Sequence, residues 1–241
     1  MDTVLSEISL QGLAIAFLPV AVVVGIMIRW SAGARTALYA TFRMLVQLLL
    51  IGYVLVYIFD SNQPVFIIAV LAIMLTVASW IAIRPLHKKD TSVYLNSLIG
   101  ISVGGILTLA LVSQLVLNVD PWFSPRYLVP LAGMIFAGSM NAVSLAAERL
   151  QSENERGTSH LEARRIALQA ALIPITNSLY AVGLVALPGM MTGQILSGVS
   201  PMVAVKYQIV VMTMLFGVSG ISAALYLMLA NRSLQNMEKR I

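Results

Sequence analysis

The side chains of this 241-residue chain that could hold a solute lie in an otherwise apolar sequence. Arg43 and Gln47 stand four residues apart, Asn141 follows the small-residue run GMIFAGSM, and Asn177 and Ser178 come just after Pro174. Met190 and Met191 follow Pro188 and Gly189 in the run GLVALPGMMTG. A four-residue spacing sets Arg43 and Gln47 on one helical face. Arg43 either meets a solute or snorkels its charge toward the inner surface. A proline inside a helix removes an amide donor and frees a backbone carbonyl, which makes Asn177 and Ser178 candidates for a permeation path. Thioethers suit soft ions such as Cu(I), whereas Fe(II) prefers nitrogen and oxygen donors. Methionine also fills cores, so Met190 and Met191 serve either packing or substrate contact.

The acids restrict the chemistry further. All ten carboxylates, Asp2, Glu7, Asp60, Asp90, Asp120, Glu148, Glu153, Glu155, Glu162 and Glu238, fall outside the long apolar runs. A proton-driven carrier buries Asp, Glu or His as its relay, and that relay is missing. The same gap leaves a retinal-type pigment without a counter-ion. The two histidines, His87 and His160, sit in polar stretches, and cysteine is absent, so the sequence carries neither a histidine-rich metal site nor thiol chemistry. No G-x-x-x-x-G-K-[ST] run occurs, so the chain binds no ATP through a P-loop of its own.

The elements that must position these residues are membrane spans. The chain is 59% hydrophobic and 10% charged, with a mean hydropathy of +0.89. A soluble domain carries roughly a quarter of its residues charged. A hydrocarbon core of about 30 Å takes about 20 apolar residues per helix. Runs of that length predict seven spans, near 8–28, 38–59, 64–83, 94–117, 127–147, 166–187 and 206–230. The fold class is therefore all-α and polytopic, one transmembrane domain over 1–241. Basic residues mark the cytoplasmic side. With the N-terminus outside and the C-terminus inside, Arg29, Arg35, Arg43, Arg84, Lys88, Lys89, Arg149, Arg156, Arg164, Arg165, Arg232, Lys239 and Arg240 all lie inside. Only Arg126 and Lys206 lie outside. The net charge of +5 is accounted for by anionic lipid headgroups rather than nucleic acid. Two acids and no base precede the first apolar run, the wrong flank for a signal peptide, so the first span is expected to stay in the mature chain.

Two connections stand apart. The inner stretch 148–165, containing Glu155, Gly157, Glu162, Arg164 and Arg165, is the longest polar segment. It predicts either a solvated connector or an amphipathic helix with Glu162, Arg165 and Gln169 opposite Leu161, Leu168 and Leu172. The outer stretch 188–205 holds no charge. Irregular backbone at membrane depth needs protein or a water-filled cavity around it, which predicts a broken or re-entrant segment. Pro188 and Gly189 would end the sixth span there, and Gly193 and Gly198 would let the fold-back pack closely as an outer gate. In the fifth span, Gly133, Ala137 and Ser139 are expected at a close helix contact, with Asn141 bonding across it.

The segment ALIPITNSLYAVGLVALPGMMTGQILSGVSPMVAVKYQIVVMTML, with RMLVQLLLIGYVL at 43–55 and PLAGMIFAGSMNAVSLA at 130–146, resembles the FetB-type permease family of ABC transporters. That family includes a bacterial iron-export permease and the membrane subunit of a plant aluminium-tolerance transporter. The likeness runs over nearly the whole chain, and the Leu-Pro-Gly-Met-Met-Thr-Gly run is its most particular motif. It implies a non-enzymatic transport subunit in the bacterial inner (plasma) membrane, exporting iron or another metal, with no cofactor bound by this chain. It implies a separate ABC-type ATPase that uses the ATP, two copies of each subunit, and a coupling role for the 148–165 loop. The chain differs from the family pattern at Ala137-Gly138, where the pattern has Gly-Asn, and at Tyr180-Ala181, where it has Lys-Thr. These differences bear on the substrate, for which a metal chelate or a sugar nucleotide stands beside iron. An ATP-independent channel or uniporter and a seven-span receptor are the readings from other classes.

Overall fold

The computed structural model describes residues 8–60, 63–87 and 89–238. Lys88, Lys239 and Arg240, counted above among the inner charges, and the acids Asp2 and Glu7 lie outside them. The described residues are helical almost throughout and divide at Asp60 into two compact units.

The first unit is a helical hairpin. Its first span is broken into α1 (Leu10–Ile15) and α2 (Leu18–Arg29). Ser9 caps α1 by accepting from the Gly12 amide at 3.1 Å, and the break falls just before Pro19. Proline has no amide to continue the ladder across the break, although Ala16 and Phe17 keep right-handed helical angles. A tight turn with Ser31 and Gly33 at positive φ leads into α3 (Ala34–Asp60).

The second unit contains α4 (Pro64–Ala82), α5 (Thr91–Ala110) continued by a π-helical turn over Leu111–Val116, and α6 (Pro125–Glu155). It ends with α7 (His160–Ala181), the short α8 (Gly189–Leu196) and α9 (Pro201–Glu238). The core is where α5, α6 and α9 meet, around Ile101, Ile135, Val143, Val218 and Leu227. Lipid offers no hydrophobic drive between helices, so close backbone approach and hydrogen bonds must hold them. Gly100 and Gly104 provide the approach: a Cβ at Gly100 would stand 3.0 Å from the Ser222 carbonyl oxygen, and one at Gly104 would overlap Ser222 Oγ. The bonds come from serines. Ser222 Oγ lies 3.1 Å from Ser139 Oγ, and Ser97 Oγ donates to the Ser79 carbonyl at 3.2 Å.

Several expectations change here. Among the described residues six helices are long and apolar enough to cross a membrane, and α7 is not one of them. Its opening turns carry Glu162, Arg164 and Arg165, and the helix stops at Ala181, not near 187. The tightest glycine contacts are in α5, and the close-contact glycine of α6 is Gly138, whose Cβ would stand 3.2 Å from Leu215 Cδ2, whereas a Cβ at Gly133 would meet only Met74 Cε at 3.6 Å. Ser139 does sit at a contact, but Ala137 and Asn141 are exposed, and Asn141 makes no bond to another helix. The stretch 148–165 is no loop. It is the end of α6 and the start of α7 joined by the residues between Glu155 and His160, because the helix formers of ERLQSENE continue the fifth span.

Candidate functional site

The uncharged connection between α7 and α9 builds a cleft. After Ala181 the chain leaves helical angles at Val182, and Gly183 takes φ +83 so that its amide reaches the Ala186 carbonyl at 2.9 Å. Pro188 then starts a new helix. It is the N-cap of α8, its carbonyl accepts from the Thr192 amide at 3.0 Å and from Thr192 Oγ1 at 3.1 Å, and Gly189 is the first helical residue. Pro188 and Gly189 thus begin the fold-back segment and do not end the sixth span. The reason is local: proline fixes the extended angles of an N-cap and cannot sit where an internal amide is needed. The expected broken segment is present, as α8 folded against α9. Gly193 does not serve close packing, since a Cβ at Gly189 or Gly193 meets no atom within 4 Å. Gly198, at φ +90, makes the left-handed turn into α9.

Between the end of α7, α8 and the N-terminal part of α9 lies an open cleft of about 350 Å³. Its walls are apolar, with Leu179 and Val182 on one side and Val205 and Ile209 on the other. Met191 from α8 and Met212 from α9 bring two thioethers to it. The Thr213 hydroxyl is already used on the Ile209 and Val210 carbonyls at 2.9 and 3.0 Å. Gln208 is the exception: it is 5% exposed, lines the cleft, and its Oε1 is buried without a hydrogen-bond partner. A buried carbonyl left unpaired costs about 1–3 kcal/mol, so the Gln208 oxygen is open to a water, a donor or a cation. Two soft sulfurs and one oxygen acceptor can hold such a group weakly.

Of the residues picked from the sequence, Met191 alone lines this cleft. Met190 is partly exposed beside it. Asn177 and Ser178 are exposed on α7, and Ser178 Oγ donates to the Pro174 carbonyl at 3.0 Å. Asn141 is exposed on α6, and Arg43 and Gln47 belong to α3 of the first unit. Gln208 went unnoticed in the sequence although its signal is there, a single amide inside the apolar run VKYQIVVMTML.

The second feature is the α6–α7 turn. Glu153 is 5% exposed and tied three ways: Arg149 Nη2 at 2.7 Å, Arg156 Nη1 at 3.4 Å, and Thr158 Oγ1 donating at 2.9 Å. Gly157, at φ +77, reverses the chain between them. Glu155 is exposed and accepts from Gln151 Nε2 at 3.0 Å. On the first turn of α7, Glu162 takes both Arg165 Nε and Nη2 at 3.0 and 2.6 Å. That bidentate bond holds the Glu162 carboxyl below its ordinary pKa and raises that of Arg165. Arg164 is half-buried. The face of α7 turned inward is the alanine stripe Ala163, Ala167 and Ala171, and Leu161, expected on an apolar face, is 72% exposed. Small side chains win the contact because they let α7 lie close on α6. Among the described residues no three His, Asp or Glu side chains form a group able to hold a metal ion.

The family model described as "Uncharacterised protein family (UPF0014)" matches residues 10–235. The chain is 33% identical to the probable iron export permease protein FetB of Escherichia coli strain K12, over 98% of this chain and 95% of that one. It is 37% identical to a UPF0014 membrane protein of Synechocystis, covering 77% and 78% of the two chains. It is 32% identical to the protein ALUMINUM SENSITIVE 3 of Arabidopsis thaliana, covering 77% and 72%. No solved structure matches the chain.

Proposed function

The chain belongs to the UPF0014 family of multi-pass membrane proteins, and from that membership and the two features above we propose that it is the permease subunit of an ABC transporter. It exports a metal ion, with iron the first candidate, across the inner (plasma) membrane. A separate ATPase chain binds and hydrolyses the ATP. The observation that carries this reading is the α6–α7 hairpin. α6 has 31 residues and is about 46 Å long, against a hydrocarbon core of about 30 Å. It therefore runs well past the membrane to a tip locked by Glu153, with Leu161, Arg165 and Glu155 displayed around it. That is the form of a rigid lever on which a partner can act. With no P-loop in the sequence and no acid within the apolar runs, any energy for transport has to arrive through such a contact.

In this reading the chain crosses seven times, N-terminus out and C-terminus in. The sixth crossing is made by the part of α7 beyond its charged opening turns together with the uncharged stretch that follows it. Two copies face each other so that Asn141, Asn177 and Ser178, exposed on membrane helices, line a shared path instead of facing lipid. The Gln208 cleft is the outer station of that path, and α8 is its movable wall.

The test is to purify the tagged chain from its native membranes in mild detergent and assay for a co-purifying P-loop ATPase with vanadate-sensitive turnover. A stoichiometric ATPase that is lost in the double variant Arg156→Glu, Leu161→Glu supports the reading. A partnerless chain that carries flux in pure lipid vesicles overturns it in favour of a channel or uniporter.

A further inference from the structure

The junction of α4 and α5 forms a second open cleft, of about 330 Å³, which the transport reading does not use. Arg84 and Lys89 reach it from the connecting segment, and Asp90 and Thr91 line it from the start of α5. Trp80, from the last turn of α4, and Tyr94, from the first turn of α5, flank it. Two cations against one carboxylate leave the cleft net positive. The Asp90 carboxylate makes no capping bond to the first-turn amides of α5, and its backbone carbonyl takes the Tyr94 amide at 3.2 Å. The first-turn amides of α5 remain open to an anion.

The position fits a lipid headgroup better than a free solute. The cleft sits at the ends of two membrane-length helices, the level at which Trp and Tyr mark the bilayer interface. Its volume lies at the low end of the roughly 300–1,000 Å³ of ligand pockets, right for a headgroup and too small for a whole lipid. An independent feature continues it. Ile73, Val77 and Trp80 are exposed at spacings of four and three, which makes an apolar stripe down one face of α4 that ends at Arg84. We propose that this cleft holds the headgroup of an anionic phospholipid, its phosphate between Arg84 and Lys89 and an acyl chain along Ile73 and Val77. Basic pockets between membrane helices are the sites at which anionic headgroups bind.

The experiment is a melting titration of the delipidated chain in maltoside micelles with dihexanoyl phosphatidylglycerol, run in parallel with dihexanoyl phosphatidylcholine and with inorganic phosphate. Phosphatidylglycerol should give a saturable rise in Tm that the other two do not. Replacing both cations, Arg84→Gln with Lys89→Gln, should weaken its apparent affinity roughly 30-fold, and Arg35→Gln should leave it unchanged. Each single variant at the cleft should weaken it about fivefold, and these carry the test should the double variant not fold. An equal response to inorganic phosphate would make this a free-anion site, and an equal response to phosphatidylcholine would remove the charge argument. Undiminished binding in the cleft variants would put the lipid elsewhere. Each of these three results overturns the proposal and leaves the permease reading untouched.

Discussion

Replacing Gln208 with leucine should move stability and transport in opposite directions. Gln208 Oε1 is buried with no partner, in a cleft whose other walls are apolar. An unpaired buried carbonyl costs about 1–3 kcal/mol, and a leucine of similar size removes that cost while adding apolar contact with Val205 and Met212. The variant should therefore be more stable by about 1 kcal/mol or more. For a chain of this length that is a rise in Tm of about 2–4 °C per kcal/mol. Transport should fall at least about tenfold, the loss of one hydrogen bond or ion contact of about 1.4 kcal/mol to the solute. The assays are a thermal melt in detergent and the cell-associated iron of a host in which the variant replaces the native copy. A drop in Tm would show that Gln208 has a bond of its own in the native state. Cell-associated iron unchanged by the variant would show that the carbonyl never meets the proposed solute. Either result refutes the assignment of the cleft.

Gly100→Val forces a branched side chain against the α9 backbone, where even a Cβ stands 3.0 Å from the Ser222 oxygen, and should cost about 1–3 kcal/mol. Gly133→Ala, with only Met74 Cε at 3.6 Å, should be neutral or slightly stabilising, and parallel melts compare the two. Gly189→Val meets nothing within 4 Å in one copy, so its Tm should stay within about 2 °C. Loss of transport in that folded variant would place a second copy or the solute against α8. Glu153→Gln should loosen the hairpin tip and speed hydrogen exchange at Arg156 to Thr158 about tenfold while leaving the α9 amides unchanged. The lowered pKa of Glu162 means that its contribution is present above the unfolded carboxylate pKa and is lost as pH falls through the folded value. Arg165→Gln should raise the Glu162 midpoint, as read by infrared titration of the carboxylate.

The sequence by itself determined what each segment can decide alone. Apolar length gave the spans from Pro64 to Ala82 and along α3 and α9 nearly as found, and the ten carboxylates were seen to fall outside the apolar runs before any fold was known. Proline signals located the breaks, although Pro188 begins a helix where an end was expected, because an isolated proline says that the ladder is interrupted and not on which side. Pairing was not legible. Gly104 and Gly133 are both glycines in apolar helices, yet only Gly104 meets a neighbouring backbone, since its rotational phase points it at Ser222 and that of Gly133 does not. The same phase buried Ala163, Ala167 and Ala171, turned Leu161 outward, and left Gln208 enclosed without a partner. Hydropathy and charge are sums along one segment, whereas a contact depends on two segments at once. The tertiary structure therefore decided which polar groups are satisfied and which are left to act.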